Sequence, residues 1–253
     1  MPDPRGQLAD PIARGFLTTR WTVVLQAASW DATAPGASPA AQAMTLLCQA
    51  YWYPLYAYTR RCGYAPADAE DLTQEFFATL LAKEALANVD RRKGRFRHFL
   101  LAAMKHFIAN QRDRAHALKR GGGQPILSLD RDQAETRYAR EPSHSATPEK
   151  SFERQWALAV LQRVLDRLKA EFVAAGKERL FEGLKCTLAG SDPPRSYHAI
   201  AFDLGTTEGT VKVMAYRLRR RYRQLLCEEI AQTVASPQDV DEEIRNLIAA
   251  VSQ

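Results

Sequence analysis

The sequence predicts an all-α protein: two small helical domains joined by a polar linker, the second ending in a helix-turn-helix. Three observations predict it. Apolar residues recur at three- and four-residue spacing through two stretches, about 40–120 and 152–226, and a polar segment punctuated by glycine and proline separates them. No stretch carries a hairpin signal or the alternation of a half-buried strand. The expected units are an N-terminal extension over 1–38, a first domain over 39–120, a linker over 121–150, a second domain over 151–227 and a C-terminal extension over 228–253. Each extension is expected to hold a short helix, around Trp21 to Ala28 and around Val240 to Val251.

With 253 residues and 46% hydrophobic composition, the chain is long enough to bury a core without staples. No segment approaches the roughly 18 uninterrupted apolar residues of a membrane span, and the amino terminus lacks an apolar signal core, so a cytoplasmic protein is expected. Cys48, Cys62, Cys186 and Cys227 lie too far apart for a Cys-x-x-Cys metal motif and are expected to be buried thiols. No phosphate loop, His-Glu-x-x-His or nucleophile elbow is present, so neither catalysis nor a cofactor is expected.

Charge is sorted into blocks behind a net charge of +6. An acidic stretch, Asp68 to Glu84, is followed by Arg91, Arg92, Lys93, Arg95, Arg97, Lys105, Arg112, Arg114, Lys119 and Arg120; a second basic run spans Lys212 to Arg223 and precedes acids near the end. Surfaces of alternating sign imply partners of different kinds.

In the first domain, Pro66 suits an opening helical turn whose acids complement the helix dipole. Ala69, Leu72, Phe76 and Leu80 form its buried stripe, while Asp68, Asp71, Gln74 and Glu75 share another face that is either solvated or set against a basic partner. The next helix, Phe96 to Leu118, buries Phe96, Phe99, Leu100, Ala103, Met104, Phe107 and Ile108. On its other side His98, Lys105 and Arg112 recur at heptad spacing, an axial row suited to a nucleic-acid strand, although acidic protein or anionic lipid would satisfy it too.

In the second domain, Ala201, Gly205 and Val211 have helix-turn-helix spacing. The small residue sits at the helix crossing, the glycine takes a left-handed turn, and the valine packs the second helix onto the first with Ile200, Leu204, Met214 and Leu218. Thr206 or Thr207 is expected to cap the second helix, and Lys212, Arg219, Arg220, Arg221 and Arg223, with Tyr216 and Arg217 among them, are placed on or just beyond it where the phosphates of a docked duplex would lie.

In this order, acidic helix, basic amphipathic helix, polar linker and basic helix-turn-helix, the chain resembles the sigma-70 family of RNA polymerase sigma factors, specifically its two-domain extracytoplasmic-function (ECF) members. The likeness covers about 46–120 and 156–226. It implies an alternative sigma factor that binds core RNA polymerase through Asp68, Glu70, Asp71, Gln74 and Phe77. It further implies that Arg91, Arg92, Lys93, Arg95, His98, Lys105, His106, Asn110 and Arg112 hold the −10 strand, and that the second helix of the carboxyl-terminal motif reads the −35 duplex through Thr210, Lys212, Val213, Tyr216, Arg217, Arg219 and Arg220. The implied partners are core polymerase and promoter DNA, with room for an anti-sigma factor or other regulator, and the free chain is expected to be monomeric. Val213-Met214 departs from the family's small-polar and basic pair, so −35 preferences do not transfer. The alternative is a polymerase-independent helix-turn-helix regulator, which would usually bind a palindrome as a dimer.

Overall fold

The computed structural model describes residues 24, 27, 39–82, 95–117, 131–139, 147–189, 195–234 and 236–252. Among them every regular element is helical. At the centre of the first half lies α1, Pro39–Arg61, and from Tyr51 to Thr59 every residue of it is buried. A helix apolar on all sides has to be covered on all sides. Helices α2, Pro66–Ala82, and α5, Pro148–Ala174, pack directly on α1, and α3, Phe96–Ala117, packs on α2. Val24 and Ala27 of the N-terminal extension are helical and buried as well.

Between α3 and α5 comes α4, Arg131–Ala139, inside the segment expected to be linker. It carries only Ala134 as a buried apolar residue and docks through polar groups instead. Tyr56 donates its hydroxyl hydrogen to Glu135, the Arg60 Nε lies 2.7 Å from the same carboxylate, and the Arg137 guanidinium sits 3.7 Å over the Tyr53 ring.

Helix α5 starts at a Thr147 cap and runs for 27 residues, about 40 Å at 1.5 Å per residue. Its amino-terminal half belongs to the first half's core: Phe152 stacks on Tyr51 at 6.4 Å, and Trp156 lies under Arg97. Its remaining turns carry α8, Glu208–Ala231; α9, Val240–Val251, packs on α5 as well, its first turn reaching Arg97 beside Glu153. The boundary expected at 150/151 thus falls inside a packed region, because one helix serves both halves. Continuing from α5, Gly176 at φ 67° turns the chain into α6, Glu178–Leu184, then a 3-10 helix, Lys185–Ala189, and α7, Tyr197–Leu204, which packs on α8.

The C-terminal segment is integrated in the same way. Helix α8 continues past residue 227 with Glu229 and Ile230 buried, and α9 buries Leu247 against α5 and α8. Glu229 is enclosed by arginines of α5, with Arg163 Nη1 at 3.0 Å and Arg167 Nη1 at 3.2 Å. Of the cysteines, Cys48 is buried, and burial pushes its thiol up to about 12; Cys62, Cys186 and Cys227 are only half-buried, a correction to the expectation of four buried thiols.

Candidate nucleic-acid interface

Three surfaces correspond to the residues singled out by the sequence. On α2, Ala69, Phe76 and Leu80 are buried, so Asp68 and Asp71 are exposed on another side with Glu70 and Gln74 half-buried. Gln74 donates to Glu70 at 3.2 Å, and Gln111 of α3 donates to Glu75. Phe77 is 2% exposed and meets Phe76 edge-on, so it is core and presents no surface to a partner, a correction to its expected role. It lies one residue beyond Phe76, where the helix's apolar side is wider than the four-residue stripe.

On α3, Phe96, Leu100, Met104 and Ile108 are buried, while His98, Lys105, His106, Asn110 and Arg112 are exposed. The heptad row is therefore on the outside. Arg91, Arg92 and Lys93 lie outside the described residues. The exposed row has carboxylate neighbours from further along the chain: Lys105 Nζ is 2.7 Å from Glu149, and His98 Nε2 is 3.5 Å from Glu153. Arg112 donates to the Tyr64 hydroxyl at 2.9 Å. Arg95 is half-buried, its Nε 2.8 Å from Glu243 and its Nη2 3.4 Å from Glu242. Arg97, 4% exposed, donates to Glu153 through Nε at 2.7 Å and to Glu243 through its two terminal nitrogens, and its guanidinium lies 3.9 Å over the Trp156 ring.

This cluster was not singled out from the sequence. Its arginines are visible there as part of a basic block, but Glu243 is 146 residues from Arg97, and nothing in a single sequence pairs them. Burial opposes ionisation of Glu153, yet His98 and Arg97 outweigh it and hold the carboxyl below its ordinary value. Glu149 is held low in turn, chiefly by its hydrogen bond to Lys105.

The carboxyl-terminal pair is built by its caps. Ser196 opens α7 by accepting from the Ala199 N–H at 3.2 Å, and Gly205 closes it at φ 64°. The Thr206 N–H then returns to the Ala201 carbonyl at 3.0 Å, satisfying an orphan acceptor of the last turn. Thr207 caps α8 by accepting from the Thr210 N–H at 3.2 Å. Between the helices Ile200, Ala201, Val211, Ala215 and Leu218 are buried. Lys212, Val213, Tyr216, Arg217 and Arg220 are exposed on the other side of α8, and Lys212 pairs with Glu208 at 2.7 Å.

Arg219 is half-buried: its Nη1 donates to the Thr187 carbonyl and the Tyr197 hydroxyl, both at 3.2 Å, and so braces α8 on the preceding helices. Arg221 pairs with Glu171 of α5 at 2.8 Å. Phe202 of α7 is 84% exposed and was not singled out either, since it neighbours the buried Ile200 and Ala201 in an apolar run.

A model of the ECF sigma factor family matches residues 66–191, about half of the chain. The match begins at the first residue of α2 and takes in α3, α4, α5, α6 and the 3-10 helix after it. This chain is a member of the ECF sigma factor family. No curated protein and no solved structure matches it. As an ECF sigma factor the chain has a role in transcription initiation, in a family of non-enzymatic transcription regulators. Among the described residues no helix is long and apolar enough to cross a membrane. The family match stops before α7, so for the α7–α8 pair the case rests on its own residues.

Proposed function

We propose that this ECF sigma factor docks on core RNA polymerase through the acidic side of α2, holds the −10 non-template strand along α3 and reads the −35 duplex with α8. The observation that carries the reading is the outer side of α8. Lys212, Arg217 and Arg220 are exposed around Val213 at 50% and Tyr216 at 62%, while the opposite side is packed on α7. What sets this side apart is its charge: cations gathered on one face of a helix make a surface for a polyanion. A duplex suits the set, with arginine and lysine on phosphates and guanine edges and valine against a thymine methyl. Asp68 and Asp71, with Glu70 and Gln74 beside them, offer a negative side to a basic protein surface, and His106 and Asn110 of α3 supply hydrogen-bonding groups for an unstacked base.

Run-off transcription with core polymerase over a genomic fragment library tests the reading. The wild-type chain is expected to form a one-to-one complex with core and select start sites. Asp71→Lys with Gln74→Lys is expected to abolish the complex while leaving the fold intact. Lys212→Ala with Arg217→Ala is expected to leave the complex and lose start-site selection, with the salt dependence of promoter binding shallower by about 2 in log-log slope. A chain that binds DNA as a dimer and ignores core polymerase would overturn it.

A further inference from the structure

Arg95, His98 and Lys105, assigned above to the −10 strand, are already engaged by anions of the same chain, as is their buried neighbour Arg97. Glu149 and Glu153 from the start of α5, and Glu242 and Glu243 from the start of α9, converge on Arg95, Arg97, His98 and Lys105 at the amino-terminal part of α3. A guanidinium presents the same fork of donors to a carboxylate as to a phosphate, so an acidic helix end and a nucleic-acid backbone are chemically interchangeable ligands here. Glu243 is wholly buried and is shared by both arginines. Between these groups a cleft of about 10 Å³, lined by Tyr51, Arg95, Phe96, Arg97, Trp156 and Thr233, has room for about one water.

Helix α9 is held by an apolar seat as well as by this tie. Its apolar side, with Leu247 buried and Val240, Ile244 and Val251 packed against the core, rests on α5 and α8. Towards the α3 side it extends Glu242 and Glu243 from its first turn. The outer pairs, Glu242 with Arg95 and Glu149 with Lys105, are open to solvent and can be exchanged for another anion, whereas Glu243 is buried and leaves Arg95 and Arg97 only when the start of α9 lifts.

We propose that the C-terminal helix α9, with Glu149 and Glu153 of α5, forms an acidic clasp that occupies the strand-binding side of α3 and competes with promoter DNA in the free chain. The inference rests on the assignment of α3 to the −10 strand. The clasp keeps the free sigma factor from binding single strands, and the strand gains access when the carboxylates are displaced. If about one molecule in ten is open, abolishing the clasp raises apparent strand affinity about ten-fold.

The test uses the full chain without polymerase and fluorescence anisotropy of a labelled, short oligo-deoxythymidine. Glu242→Gln with Glu243→Gln is expected to bind about ten-fold tighter than wild type. Glu149→Gln, at a half-exposed pair whose loss leaves the core untouched, is expected to shift affinity in the same direction by a smaller factor, and it decides the matter if the double variant fails to fold. Glu178→Gln with Glu182→Gln makes the same change in net charge at exposed residues paired with Lys169, away from α3, and is expected to leave affinity unchanged.

Wild-type affinity in a folded Glu149→Gln chain, or an equal gain in the Glu178–Glu182 control, overturns the clasp. Initiation by the holoenzyme of His106→Ala with Asn110→Ala separates the two levels. If that variant is impaired while the clasp variants bind no tighter, the clasp alone is wrong. If it initiates normally and no variant binds the strand, the assignment of α3 falls and takes the clasp with it.

Discussion

Gly205 and Gly209 stand four residues apart and are expected to respond oppositely to the same substitution. At Gly205 an added Cβ meets nothing within 4 Å, so the cost of Gly205→Ala is purely that of placing an L side chain at φ +64°. That cost is about 1–2 kcal/mol. Gly209 lies in the first turn of α8, where an added Cβ has only the Thr207 Oγ1 at 4.0 Å. Gly209→Ala is therefore expected to stabilise by about 0.5–1 kcal/mol, through the entropy the unfolded chain no longer loses. Urea titrations of the two variants should show midpoints moving in opposite directions from wild type. The role of Gly205 was legible from its spacing to Ala201 and Val211, because a steric demand at one backbone position needs no knowledge of the rest of the fold. The bracing bond of Arg219 was not legible, since it depends on the Thr187 carbonyl, 32 residues back.

Among the elements, those with an apolar stripe and a chemical cap were legible, and those held by polar contacts were not. Helices α2, α3, α7 and α8 each bury residues that the three- and four-residue spacing names; α3 matches its expected span of 96–118 to within about one residue, whereas α8 runs past the expected boundary at 227 to Ala231. Helix α4 escaped notice because Tyr56, Arg60 and Arg137 attach it, and ion pairs and ring contacts leave no periodic signature. The seam between α3 and α5 is of the same kind and carries a pH dependence. Glu149 and Glu153 are both held below the ordinary carboxyl value of 4.5, so they bind fewer protons folded than unfolded near that pH. Their contribution is complete above pH 4.5 and is lost as pH falls through the lower folded-state values. Glu153→Gln is expected to cost about 2 kcal/mol at pH 7, less than the 3–5 kcal/mol of a wholly buried partner because part of its side chain is in water. Chemical denaturation from pH 7 to pH 3 should show wild type and variant converging as the solution is acidified, and parallel curves would contradict the assignment.

For the molecule as a whole, the shared helix α5 sets the relation between the closed chain and its work on DNA. Sites named −10 and −35 are about 25 base pairs apart, about 85 Å at 3.4 Å per pair. Helix α5 is about half that length, and its amino-terminal half is buried against α1. On the proposed reading, in which α3 and α8 contact the two sites at once, the two halves are expected to part, which separates Phe152 from Tyr51 and Trp156 from Arg97. Each large side chain exposed in parting costs about 1.5–3 kcal/mol, a demand that polymerase and promoter contacts have to offset. The same junction predicts how the free chain unfolds. Two domains on a flexible linker would melt separately, whereas a core continuous through α5 makes one cooperative unit. Wild-type chain is expected to give a single urea transition in which far-ultraviolet circular dichroism coincides with fluorescence, to which the buried Trp52 of α1 and Trp156 of α5 contribute. Phe152→Ala removes a wholly buried ring from the α1–α5 contact and is expected to cost about 3–5 kcal/mol. Because the loss falls where the halves meet, it should also uncouple them, so that the two signals no longer coincide and the apparent m-value drops. Coincident signals at a lower midpoint would show that the halves stay joined through α8 and α9, and that opening on polymerase follows another seam.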